Sequence, residues 1–135
     1  IDAAVEGGGR CGRLRESVTL ANLARCIGEL LRARGVQLVG QPDRTVSRVA
    51  IACGAAAEYL PDAARQDCDV LITGEARFHA CLDARSLGVA LILPGHYATE
   101  RPAVESLAEH MAREWPGVEA WASRVETDPV QWSLL

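Results

Sequence analysis

The residues of this chain best suited to chemistry are His96 and Glu100, in the stretch LILPGHYATE (91–100). Imidazole and carboxylate together suit Zn, Mn, Fe or Co. If the turn holding them is helical, residues four apart share a face with Cβ atoms about 5–6 Å apart, so both can reach one ion or two neighbouring ions. The competing reading is a histidine closing a turn and a solvated carboxylate at a favourable helix start. Two ligands are fewer than the three or four that hold a transition metal tightly.

A second polar segment, TGEARFH (73–79), has the same setting. Both segments leave short apolar strands, 69–73 and 89–93, through glycine-containing turns. Open α/β sheets place their sites at such strand ends. Side by side, the two ends would bring Glu75, Arg77, His79, His96 and Glu100 to one crevice. Glu75, His79 and Asp83 also recur at i, i+4 and i+8, which reads better as a solvated helix side than as a second metal face. His110 lies mid-helix and reads as surface. No G-x-S-x-G elbow is present, and Cys81 faces away from His79, two residues before it. Gly7, Gly9 and Gly12 match GxGxxG, but the next strand, 36–39, ends in Gly40-Gln41-Pro42 without the acid a dinucleotide site requires. A turn where backbones approach closely is the better account.

The elements that must position these residues follow from periodicity. Ser17 or Thr19 can cap a helix whose apolar stripe is Leu20, Leu23, Ala24, Ile27, Leu30 and Leu31, stopped by Gly35. Strands are expected at 36–39 and 46–53, antiparallel to each other across a Pro42-Asp43 turn. GAAAEYLPDAARQ reads as a helix kinked or split at Pro61. After strand 69–73 a helix runs from Gly74 to about residue 87. After strand 89–93 another runs from about 100 to 115, with Pro102 in its first turn and Val104, Leu107, Ala108, Met111 and Trp115 facing inward. A last strand is expected at 118–122. Strands alternating with helices predict one α/β domain over residues 1–135, a mixed, mostly parallel sheet of about five strands with helices packed on it.

At 135 residues the chain can bury one real core. A net charge of −4 argues against nucleic acid or an anionic membrane as partner. No apolar run reaches the roughly 20 residues of a membrane span, and no signal-peptide pattern is seen, so a cytoplasmic location is expected. Cys11, Cys26, Cys53, Cys68 and Cys81 are odd in number and form no CxxC, so they read as small buried hydrophobes rather than a disulfide framework or zinc knuckle. The first residue is Ile1 and the single Met is Met111, so a portion of a longer protein is expected.

GGGRCGRL, TL (19–20), RVAIACGAA, DVLITGEARFH, LDARSLGVALILPGHYATE and the terminal TDP resemble, in that order, the NGG-interacting factor 3-like family. Its members are dinuclear-metal, ring-forming proteins often named GTP cyclohydrolase type 2 homologues. The resemblance covers nearly the whole chain and is to the family's C-terminal half. It implies that His96 and Glu100 are metal ligands, since the family's ligands lie in its GH-x-x-[ST]-E stretch. It also implies two divalent ions (Zn, Mn, Fe or Co) per complete site and a homo-oligomer, a hexamer. The remaining family ligands, a His-His pair and an Asp, belong to an N-terminal half, and this chain has no His-His pair. The expected function is that of a metal-dependent hydrolase acting on a nucleotide or another small ring compound, with the 135-residue chain inactive alone. A two-ion centre can supply a nucleophile at neutral pH and clamp a developing oxyanion. In that picture His79 shuttles a proton and Arg77 meets a phosphate bidentately. The alternative is a non-catalytic metal-binding scaffold or protein-interaction module.

Overall fold

The computed structural model describes residues 7–133. Its centre is set by the three most apolar strands: β3 (Thr45–Ile51), β4 (Val70–Ile72) and β5 (Ala90–Leu93). β4 and β5 are buried at every position, as continuous apolar runs require when both faces of a sheet are covered. These three strands are parallel neighbours, with Val49 opposite Val70 and Val70 opposite Ala90. The edges are antiparallel: β1 (Arg10–Thr19) pairs with β3 and β2 (Gln37–Val39) with β5, giving the order β1-β3-β4-β5-β2. The fold is therefore a mixed five-stranded α/β sheet.

Helix α1 (Leu20–Leu31) covers one face, where Leu20, Leu23 and Ala24 pack against Val46, Val49, Val70, Ile72 and Ile92. Thr19 caps it by accepting the amide N–H of Asn22 at 3.2 Å. Helices α2 (Leu60–Arg65) and α3 (Phe78–Leu87) cover the other face, where Leu60, Ala63 and Ala84 meet Leu71 and Leu91. The stretch around Pro61 splits as expected, into a 3-10 turn at Ala57–Tyr59 and then α2, with proline tolerated at the helix start. Helix α4 (His96–Glu114) follows β5.

Several expectations are corrected. Residues 10–19 form a strand, β1, rather than an irregular lead-in to α1; of the three glycines, Gly9 is where backbones come close, since a Cβ there would lie 2.8 Å from the Ile51 carbonyl oxygen. Segments 36–39 and 46–53 do not pair with each other. β3 carries buried Val46, Val49 and Ala50 and takes an interior position, whereas β2, with no buried residue, lies at an edge. Residues 118–122 form no strand; Val118 and Trp121 are exposed. Helix α4 begins at His96, so Pro102 lies inside it and cannot donate to the carbonyl four residues back. Its presumed inner stripe is open: Val104, Leu107, Met111 and Trp115 are 36% to 57% exposed. Of the cysteines only Cys68 is buried, Cys81 is half-buried, and all five are free.

Candidate functional site

Three loops leave the carboxyl ends of β3, β4 and β5, and each contains a glycine: Gly54, Gly74 and Gly95. Two buried threonines tie them together. The Thr73 hydroxyl donates to the Gly54 carbonyl at 3.0 Å and accepts the Ala56 N–H at 3.1 Å. The Thr99 hydroxyl, on the first turn of α4, accepts the Gly54 N–H at 3.0 Å and donates to the His96 carbonyl at 2.9 Å. The Gly54 carbonyl also accepts the N–H groups of Gly74 and Glu75, at 2.8 and 3.2 Å. Burying this many backbone polar groups is tolerable because they are paired.

Glycine is required at two of these positions. Gly54 has φ +71°, in the left-handed region, and a Cβ there would run into the Glu100 carboxylate and lie 3.2 Å from His96 Nε2. A Cβ on Gly74 would lie 2.7 Å from His96 Cα. The loops after β3 and β4 therefore press directly against His96 and Glu100.

Because α4 starts at His96, the pair does share one helical face. His96 Nε2 lies 3.2 Å from Glu100 Oε2, and His96 Nδ1 lies 3.0 Å from Glu75 Oε1. The imidazole is held between two carboxylates. Its pKa is raised, first by the hydrogen bond it donates to Glu75 and then by the charge of Glu100, with desolvation opposing. The three side chains are about half exposed, and Glu75 and His96 line a cleft of about 930 Å³ that continues along Tyr97, Arg101 and residues between 126 and 132.

The donor set suits a divalent cation. Ligands about 2.0–2.2 Å from one ion, at octahedral or tetrahedral angles, lie about 3–3.5 Å from each other, and the Nε2–Oε2 separation of 3.2 Å falls in that range. Among the described residues no group of three or more His, Cys, Asp or Glu side chains surrounds a common point. The pair thus offers two ligands on an open side and leaves the rest of a coordination shell to other groups.

The shared crevice forms only in part. Glu75, His96 and Glu100 come together. His79, exposed on the first turn of α3 with its ring edge-on to Phe78, is not within hydrogen-bonding distance of any of them. Arg77 lines a neighbouring cleft of about 950 Å³ between α2 and α3, which shares Glu75 as a wall. Because α3 starts only at Phe78, Glu75 is not on a helical face with His79 and Asp83. Gly54, Thr73 and Thr99 were not singled out beforehand. Glycine directly after an apolar strand was the available signal at Gly54, as it was at Gly74 and Gly95.

Residues 2–129 match the sequence model of the Duf34/NIF3 (NGG1p interacting factor 3) family. The chain belongs to the Duf34/NIF3 family. Curated relatives include a GTP cyclohydrolase 1 type 2 homolog of Bacillus subtilis, 34% identical over 93% of this chain and 35% of the relative. One from Neisseria meningitidis is 38% identical over 75% of this chain and 40% of the relative. Among solved Duf34/NIF3-like structures, a Bacillus cereus protein related to NIF3 superposes with TM-score 0.81 at 30% identity, over 98% of this chain and 38% of that one. A Staphylococcus aureus protein gives 0.80 at 30% identity, over 93% and 42%. The chain spans less than half the length of each of these relatives.

Proposed function

We propose that this Duf34/NIF3 chain binds divalent metal through His96 and Glu100 and forms part of a metal-dependent hydrolase of the GTP cyclohydrolase type 2 homologue kind. The observation that carries this reading is the Nε2–Oε2 separation of 3.2 Å at the carboxyl end of β5. The names of the curated relatives point the same way. In the proposed site further ligands come from outside this chain, from an N-terminal half or a second subunit of a homo-oligomer. Divalent ions bound there would supply Lewis-acid polarisation and a nucleophile of low pKa. The chain's own residues do the rest. The threonine-tied loops hold the two ligands in place, Gly54 leaves room for their side chains, and Arg77, on the neighbouring cleft that shares Glu75, would take a phosphate of a nucleotide-like substrate. We assign His79 no part in proton transfer.

The second reading, a metal-binding scaffold without turnover, draws on the exposed apolar residues of α4. Turnover separates the two. The metal-loaded full-length protein should hydrolyse GTP, or a member of a panel of phosphorylated and cyclic compounds, at a metal-dependent rate that Glu100→Ala removes. No metal-dependent rate above background, or a rate untouched by Glu100→Ala, would leave the scaffold reading. The 135-residue chain alone is expected to show no catalysis.

A further inference from the structure

A neutral imidazole carries one N–H, and the ring of His96 has a carboxylate at each nitrogen. If the proton sits on Nε2, it bonds to Glu100 and the two donors meant for an ion close on each other. If it sits on Nδ1, Nε2 presents a lone pair beside the Glu100 oxygens, an arrangement that favours a cation between them. Which carboxylate takes the N–H therefore decides whether the pair is open to an ion.

The fold favours Nδ1. Glu75 Oε1 is the nearer oxygen, at 3.0 Å against 3.2 Å for Glu100 Oε2. Glu75 also comes from a fixed backbone. Its N–H is bonded to the Gly54 carbonyl, as is that of Gly74, and the preceding Thr73 is fully buried and bonded to the same carbonyl. Gly74 has no Cβ to hold the loop away from His96. Glu75 thus arrives at Nδ1 from β4, a different element from the helix that carries His96 and Glu100.

We propose that Glu75 is a positioning residue for the site: by accepting the N–H of His96 Nδ1 it fixes the ring tautomer and keeps Nε2 bare beside Glu100. The role rests on the metal reading of His96 and Glu100 for its purpose, though not for its geometry. Carboxylates placed this way orient metal-ligating histidines and typically change affinity 10–100-fold. The Glu75 side chain is 60% exposed, so water competes for the contact and an effect of about tenfold is expected.

Long-range 1H–15N NMR of His96 in the metal-free chain, with the ring neutral, reads the tautomer directly. The wild type should show Nδ1–H. Glu75→Ala should shift the ring toward Nε2–H, and Glu75→Gln, whose amide oxygen still accepts, should retain Nδ1–H. Competition between the full-length protein and a weak chelator for zinc should show about tenfold weaker binding in Glu75→Ala, with Glu75→Gln closer to wild type. Glu75 is exposed, so an unchanged amide spectrum away from the site can verify the fold. A ring that stays Nδ1–H in Glu75→Ala, or zinc affinity equal to wild type, overturns the proposal. If the tautomer moves as stated but the wild type binds no zinc, positioning by Glu75 stands and the metal reading fails. If the wild type binds zinc and the tautomer does not move, the metal reading stands and the role of Glu75 falls.

Discussion

The two ends of the parallel strands both hold acidic side chains, and use them in opposite ways. At the amino end of β4, the Asp69 carboxylate accepts the N–H groups of Ser47 and Arg48 at 2.7 and 2.8 Å and the Ser47 hydroxyl at 3.1 Å, with Arg44 at 3.9 Å. All three hydrogen bonds converge on Oδ2 and tie the start of β4 to β3. At the carboxyl ends, Glu75 and Glu100 each meet one nitrogen of His96 and, among the described residues, no other cation. A carboxylate saturated by backbone donors is a fastener, whereas one aimed at an imidazole nitrogen with lone pairs to spare keeps its capacity to bind an ion. The titration behaviour differs accordingly. Partial burial works against ionisation of Asp69, but the Arg48 and Ser47 hydrogen bonds and Arg44 outweigh it and hold the carboxyl below its ordinary range. His96 moves the other way, raised by Glu75 and Glu100.

The contrast can be broken most severely at Gly54. Gly54→Val puts a β-branched side chain in the left-handed region and against Glu100, at a cost of about 3 kcal/mol. Chemical denaturation should show that loss, and metal uptake should fall with it. Next is Asp69→Asn, which should cost about 2 kcal/mol through weakened charge-assisted hydrogen bonds while leaving metal uptake at the far end of the strands unchanged. A loss of uptake in this variant would mean that the two ends are not independent.

The smallest effects are in pH dependence. A depressed folded-state pKa gives stability that is present above the unfolded carboxyl value and lost as pH falls through the folded one. The acid limb of the stability curve should therefore flatten in Asp69→Asn. For metal-free His96, raised when folded, the stabilisation is present below the unfolded histidine value and is lost as pH rises through the folded one. His96→Ala should remove that alkaline-side change and leave the acid limb alone. In metal binding the same proton competes with the ion, so uptake should weaken as pH falls, starting above the ordinary histidine range.

Much of this was legible in the chain. The runs at 70–72 and 90–93 could only be buried strands, and the Thr19 cap with the leucine spacing of α1 fixed that helix. His96 and Glu100 stood out because they lie four residues apart just beyond a strand end, although the helix was expected to begin only at about residue 100. What escaped depends on partners distant in sequence. Half of β1 is charged residues and glycine, Leu14 and Val18 are half-buried, and its strand character comes from pairing with β3. VEAWA has strand composition but finds no sheet edge, and the apolar side of α4 is amphipathic yet uncovered. Gly54 and Thr73 become part of the site only because adjacent parallel strands bring their ends together. Asp69 gave no sign beyond an acid at a strand start.

On the proposed function, the carboxyl ends of these strands hold metal and the amino ends do not. Elemental analysis of the intact full-length protein, purified in parallel as wild type, His96→Ala, Glu100→Ala and Asp69→Asn, tests it most directly. Bound divalent metal is expected in the wild type and in Asp69→Asn, with a clear reduction in both His96→Ala and Glu100→Ala. Metal content unchanged by either His96→Ala or Glu100→Ala would contradict it.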